Sequence, residues 1–239
     1  MYKGKKILAV IPAKGISRRL KGKNLKPLAG KPLFTWSIDA ARKSACVDRV
    51  IVSTDDQEIA DVAKRYKADV PFLRPKRLNK EIVSAMDVAA FVLERLKREG
   101  EEYDVIVLLQ PTSPLRTAKD IDVTVKRMIN NRRALSIVSV VEMDKKPEWM
   151  KTIDNNGYLK DLIDPKVLKG KGSKTYIPNG AIFTMYVDDL MKGGSVYSKR
   201  TICYHMAPEV SMDVDTPYEF EITDYLMKKR LKQERSVRK

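Results

Sequence analysis

Short continuous apolar runs alternate along this chain with longer stretches whose apolar residues recur at helical spacing, and the alternation predicts most of the elements. Ile7 to Ile11 is unbroken by polar residues and is ended by Pro12, the pattern of a strand buried on both faces. Pro32 to Ala41 spaces its apolar groups for a helix, with Pro in the first turn, where its missing N–H is not needed. Arg49 to Ser53 is a second strand. Asp55, with Glu58 three residues on, predicts a capping box opening a helix through Tyr66. Val70 to Leu73 reads as a short third strand, and the Pro/Arg/Lys segment Arg74 to Lys80 as irregular. A helix over 84–98 precedes the strongest buried strand, Asp104 to Leu109. Gln110-Pro111-Thr112-Ser113-Pro114 then forces a loop, and Thr117 with Asp120 caps another helix.

After Leu135 the pattern changes. Leu135 to Val141 is a strand, but Lys145 to Lys174 holds the hairpin turn signal Asn155-Asn156-Gly157 and the loop Gly170 to Gly172, with no long helix. Tyr176 to Met185 is strand-like again, as is the segment holding the single histidine, His205, which is read as structural. Ser211 to Asp215 is read as a strand running into a helix with Thr216 as N-cap, Pro217 first and Glu219 as reciprocal cap, continuing to about Lys232. The whole predicts an α/β fold: a doubly wound, mostly parallel, mixed sheet with helices on both faces. One unit spans 1–239, with a β-rich extension over 143–178 suited to packing on a second subunit.

Composition adds a highly charged surface. Lys and Arg number 47 against 31 Asp and Glu, a formal charge of +16, in a chain that is 43% hydrophobic and therefore able to build a core. The charge attracts anions without saying which: nucleic acid, acidic lipid and nucleotide all qualify. No helix-turn-helix, zinc-finger or RNA-binding signature is present, and the basic residues are spread over the length, so no nucleic-acid partner is expected. No apolar run approaches the ~18 residues a membrane span needs. Cys46 and Cys203, far apart and without C-x-x-C partners, make neither a disulfide framework nor a metal site. The expected location is cytoplasmic.

Two stretches carry candidate chemistry. The first follows the Ile7–Ile11 strand, where Lys14, Arg18, Arg19, Lys21, Lys23 and Lys26 are interleaved with Gly15, Ser17 and Gly22, and where backbone amides can approach a polyphosphate closely. It is not a P-loop, which would need Gly at position 17 in place of Ser17, and there is no G-x-G-x-x-G. The second is Asp213 with Asp215, two apart and so on one face of a strand; paired oxygens without His or Cys favour Mg²⁺. Together they suggest metal-assisted attack on a nucleotide phosphate.

IPAKGISRRLKGKNLKPLAGKPL, LLQPTSPLR at Leu108 to Arg116, PNGAIF at Pro178 to Phe183 and MDVDTP at Met212 to Pro217 resemble, in order and spacing, the motifs of the acylneuraminate cytidylyltransferases. The resemblance implies a nucleotidyltransferase fold of Rossmann-like type and transfer of CMP from CTP to the anomeric hydroxyl of an acidic nine-carbon sugar, a nonulosonic acid of sialic, legionaminic or pseudaminic type, with release of pyrophosphate. It implies a homodimer, with Lys169 or Lys171 as basic residues lent across the interface. It places Ala13, Lys14, Gly15, Ser17, Arg18, Lys23 and Asn24 at the triphosphate end, Arg74 and Ser84 at the cytidine, and Gln110, Asn179, Gly180 and Phe183 on the sugar side. Lys14, Lys23, Asp213 and Asp215 are the catalytic set, with Mg²⁺ on the two Asp. Three positions depart from the family pattern: Lys14 replaces an Arg, Ile16-Ser17-Arg18 replaces Gly-Ser-Lys, and Glu81 replaces an Asp. Two other readings are a 3-deoxy-octulosonate cytidylyltransferase and a non-catalytic nucleotide- or nucleic-acid-binding relative.

Overall fold

The computed structural model describes residues 1–80, 82–164 and 174–237; Glu81, Lys169, Lys171 and the Gly170–Gly172 loop lie outside them. The strands are β1 (Ile7–Pro12), β2 (Pro27–Leu28), β3 (Lys31–Pro32), β4 (Arg49–Ser53), β5 (Val105–Leu108), β6 (Ser136–Glu142), β7 (Lys151–Ile153), β8 (Leu159–Asp161), β9 (Tyr176–Tyr186) and β10 (Thr201–His205). Six of them make one sheet in the order β10-β6-β9-β5-β1-β4. β1 runs parallel to β4 and β5, and β10 to β6, while β9 alone is antiparallel to both its neighbours. The expected mixed, mostly parallel sheet is therefore present.

The helices are α1 (Thr35–Lys43), α2 (Gln57–Arg65), α3 (Ala85–Arg98), α4 (Ala118–Asn130), α5 (Val187–Met191) and α6 (Pro217–Val237). Strand alternation sorts β1 between two cores: Ile7, Ala9 and Ile11 pack with Phe34, Ile38, Ile59, Ile121 and Val125 on one face. Leu8 and Val10 pack with Val92, Leu93 and Leu96 of α3 on the other. All five β1 residues from Ile7 to Ile11 are fully buried, and each large one contributes about 1.5–3 kcal/mol over exposure. A third cluster joins the chain's ends, with Leu20, Leu28, Leu33 and Leu115 against Val214, Phe220 and Met227. It pins the loop after β1 to α6.

Several local expectations are corrected. α1 begins at Thr35 rather than Pro32, because Pro32 belongs to the β2–β3 ribbon and the Leu33 N–H is taken by the Lys26 carbonyl. Asp55 does not cap α2; Asp56 does, accepting from the Ile59 N–H at 3.1 Å. The strand predicted at Val70–Leu73 is reduced to one bridge, Asp69 with Ile51. The Ser211–Asp215 segment is irregular rather than a strand, held by the Val214 N–H on the Thr112 carbonyl at 2.7 Å. The Thr216–Glu219 capping box forms as predicted, and α6 extends to Val237, five residues past the expected end. In the 143–178 stretch, β7 and β8 form a hairpin across the predicted Asn-Asn-Gly turn.

Candidate active site

The carboxyl ends of β1, β4 and β5 open on two adjoining clefts that share Lys14, Lys23 and Asn79. The first, of about 570 Å³, is lined by Lys14, Ile16, Ser17, Arg18, Arg19, Lys23, Asn79 and Asp215. Four of these eight side chains are cationic against one carboxylate, so it suits a multiply charged anion. The second, of about 250 Å³, mixes polar and apolar walls, with Pro12, Asn24, Arg74, Val83, Ser84, Val88 and Gln110 among its lining residues. It suits a flatter, less charged group.

The loop after β1 is ordered by contacts from elsewhere. Ala13 is buried and its N–H continues the ladder to the Ser53 carbonyl at 3.0 Å. The Gly15 N–H donates to Asp55 Oδ1 at 3.1 Å, and a Cβ on Gly15 would stand 2.6 Å from an Asp56 carboxylate oxygen, so only Gly lets the loop lie against the start of α2. Asn24 Nδ2 donates to the Lys14 carbonyl at 2.8 Å, leaving its buried Oδ1 without a partner. Lys23 is 92% buried, an expensive place for an ammonium, and its Nζ donates to Asp215 Oδ1 at 2.6 Å. Arg19 binds the other Asp215 oxygen.

Asp215 lines this end of the cleft, whereas Asp213, two residues earlier on the same irregular segment, lines neither cleft and turns to Thr112. Asp213 is exposed, yet the surrounding protein weakens its hydration and lifts its carboxyl above the ordinary range. A hydrogen bond with the Thr112 side chain opposes that rise, and the Asp215 charge adds to it. Among the described residues no group of three or more His, Cys, Asp or Glu side chains converges. Two carboxylates without softer ligands form a donor set that fits a hard cation keeping water and phosphate oxygens as its other ligands.

The opposite wall is built from the loop after β5 and a bulge in β9. Between Val138 and Val140 of β6 the β9 register slips, and residues 179–182 oppose the single residue Ser139. Asn179 fills this bulge: Oδ1 accepts from Ser139 Oγ at 2.6 Å and from the Ala181 N–H at 3.1 Å, and Nδ2 donates to Ser211 Oγ at 2.9 Å. Gly180, at φ +75°, turns the chain towards Gln110, whose Oε1 would lie 2.9 Å from a Cβ placed there. Arg116, 2% exposed, ties the wall together by donating to the Ala181 carbonyl at 2.9 Å, the Gln110 carbonyl at 2.8 Å and Ser37 Oγ.

A family model described as cytidylyltransferase matches residues 8–238. The chain belongs to the cytidylyltransferase family. It is 36% identical over 229 residues to the CMP-N,N'-diacetyllegionaminic acid synthase of Legionella pneumophila, across 93% of this chain and 96% of that one. To the N-acylneuraminate cytidylyltransferase of Escherichia coli it is 30% identical across 95% of its own length and 54% of that longer protein. To the pseudaminic acid cytidylyltransferase of Campylobacter jejuni it is 28% identical, across 93% and 97%. A solved CMP:2-keto-3-deoxy-manno-octonic acid synthetase complexed with CTP shares the fold at a TM-score of 0.71, with 20% identity across 94% and 99% of the two chains.

In this cytidylyltransferase, Lys14, Ser17, Arg18, Lys23 and Asp215 meet at the cationic cleft, and Asn24, Arg74, Ser84 and Gln110 at the second, while Gly15 is turned to Asp55 and Asp213 lines neither. Ser84 also caps α3, accepting from the Asp87 N–H at 3.1 Å. Phe183 is not brought into either cleft; it is buried with Leu108, Val138 and Met185. The polar atoms of the Asn179 side chain are committed to the bulge. His205 stacks on Tyr176, consistent with a structural residue, and Cys46 and Cys203 are free thiols. Sequence reasoning missed Asp55, Asn79 and Arg116 as builders of the site. Asp55 was legible in part, since of two consecutive acids before a helix only one can be its N-cap; Asn79 carried no signal.

Proposed function

We propose that this cytidylyltransferase transfers CMP from CTP to the anomeric hydroxyl of a nonulosonic acid, with Mg²⁺ as its cofactor. The observation that carries this reading is the pair of adjoining clefts, one cationic and one mixed, with Lys14 and Lys23 at their junction. The acceptor oxygen forms a bond to the α-phosphorus as the bond from that phosphorus to the bridging oxygen breaks, and pyrophosphate leaves. Such a transfer asks for charge neutralisation and in-line positioning more than for a covalent intermediate. Lys14, Ser17, Arg18 and Lys23, with the backbone amides of the loop, hold the triphosphate. Lys23 neutralises it as a buried point charge already held by Asp215. Asn24, Arg74 and Ser84 orient the nucleoside. Gln110, set by Gly180 and Arg116, faces the acceptor.

Asp213 and Asp215 would hold the Mg²⁺. When bound, the cation supplies positive charge to the phosphate oxygens as negative charge develops. The full-length likeness to the legionaminic acid synthase supports a nonulosonic acceptor over 3-deoxy-octulosonate. Exposed Trp149, Ile153, Leu159 and Leu162 around the β7–β8 hairpin support a homodimer formed through the 143–178 extension. The two free thiols fit a reducing, cytoplasmic location. Among the described residues no helix is long and apolar enough to cross a membrane.

The test is thermal unfolding with each of the four nucleoside triphosphates and Mg²⁺, followed by pyrophosphate release with a panel of acceptor sugars. CTP alone is expected to stabilise, by about 2.7 kcal/mol at a hundred times its dissociation constant. Turnover is expected with a nonulosonic acid and to fall about 100-fold in Asp215→Asn. Equal stabilisation by all four nucleotides, or turnover only with 3-deoxy-octulosonate, would overturn the assignment.

A further inference from the structure

Asp55 is a buried carboxylate that the reaction outlined above does not use. Its side chain is 10% exposed at the end of β4, and capping of α2 is left to its neighbour Asp56. Oδ1 of Asp55 does two things at once. It accepts the Gly15 N–H at 3.1 Å, and it lies 3.7 Å from Nη2 of Arg74, whose side chain is 3% exposed. Gly15 belongs to the loop of the cationic cleft and Arg74 lines the mixed cleft, so one oxygen joins the two halves.

The surroundings make this joint specific. Burial lowers the basicity of the Arg74 guanidinium, and the Asp55 charge is what opposes that loss. Nη2 of Arg74 also donates to Asn79 Oδ1 at 2.7 Å, and Asn79 lines both clefts. The Arg74 N–H is tied to the Thr54 carbonyl at 2.6 Å, next to Asp55 itself. Nε of Arg74 is buried without a partner, so the guanidinium is not fully committed. Asp56 presses on Gly15 from the other side, where no Cβ fits.

We propose that Asp55 is a positioning residue that sets the phosphate loop and Arg74 in register, so that the triphosphate and the base of one nucleotide are bound as a unit. The proposal rests on the CTP reading above. It makes no contact between Asp55 and substrate, and so it predicts an effect on nucleotide affinity without one on the acceptor.

The experiment compares Asp55→Asn, which keeps an acceptor for the Gly15 N–H and loses the charge, with Asp55→Ala, which loses both. CTP affinity, acceptor KM and hydrogen exchange of residues 13–19 in the ligand-free protein are measured. Asp55→Asn is expected to weaken CTP binding about tenfold, the worth of one charge-assisted contact, and to leave loop exchange unchanged. Asp55→Ala is expected to weaken CTP further and to speed exchange of the loop, and acceptor KM stays within about twofold in both. In an Arg74→Met background, Asp55→Asn adds no further loss. Wild-type CTP affinity or wild-type loop exchange in Asp55→Ala overturns the proposal, as does additivity of Asp55→Asn with Arg74→Met. If the unaltered protein binds no CTP, the nucleotide reading fails, and the exchange comparison still decides whether Asp55 holds the loop.

Discussion

Two loops leave the same edge of the sheet and are built in opposite ways. In the loop after β1, Lys14, Ile16, Arg18, Arg19, Lys21 and Gly22 are exposed, and Leu20 is its apolar anchor. The loop after β5 buries Pro111, Ser113, Pro114, Leu115 and Arg116. The first takes its order from borrowed partners, with Asp55 on Gly15 and Asp215 on Arg19 and Lys23. The second carries its own restraint, two prolines that fix backbone angles and a buried guanidinium that binds three oxygens. A polyphosphate is recognised by charge, which tolerates some freedom in the donors. An acceptor must be placed in line with a phosphorus, which does not.

The comparison can be broken most sharply at Arg116. Arg116→Met takes the guanidinium donor from the Ala181 carbonyl and the Ser37 hydroxyl and leaves the Gln110 carbonyl only the longer bonds from the Ser113 N–H and Ser37 Oγ, an expected loss of about 3 kcal/mol in denaturant unfolding. The same variant is expected to raise acceptor KM more than nucleotide Kd. A loss below about 1 kcal/mol would mean that the prolines alone hold the wall.

A smaller effect of opposite sign is expected at Asp213, two residues from the Asp215 that pairs with the other loop. The folded-state pKa of Asp213 is raised, chiefly by desolvation, so its ionised form opposes folding at neutral pH. That penalty is absent below the unfolded pKa and grows as pH rises through the folded one. Asp213→Asn is therefore expected to raise the unfolding temperature at neutral pH, with the gain vanishing on acidification, while turnover falls. If Mg²⁺ binds there as proposed, the proton competes with it at higher pH than for an ordinary carboxylate, and the Mg²⁺ concentration needed for turnover rises as the medium is acidified. A pH-independent stability difference would contradict this. The smallest change is expected at Ile16, which is 77% exposed: Ile16→Ser should alter stability by less than about 0.5 kcal/mol.

The fold was largely legible because its signals are local. An unbroken run such as Ile7–Ile11 has nowhere to go but a sheet covered on both faces, and Ser84, Thr117 and Thr216 announce helix starts through side chains three residues apart. Legibility failed where two local solutions compete. Asp55 and Asp56 can each cap a helix, and the choice turned on Gly15, forty residues away. Ser211–Asp215 looks like a strand in isolation, but β10 takes the place beside β6, and Val214 instead ties its N–H to the Thr112 carbonyl in the loop after β5.

By itself the sequence determined the alternating elements, the cationic loop after the first strand and the aspartate pair from which Asp215 reaches it. The tertiary structure decided what those groups touch. It buried Lys23 against Asp215, gave Asp55 to the loop rather than to a helix, spent Asn179 inside a bulge and moved Phe183 into the core. Periodicity and capping act over a few residues and can be read along the chain. Which carboxylate meets which cation depends on strand order and on a bulge, and these are fixed only when distant segments compete for the same buried space.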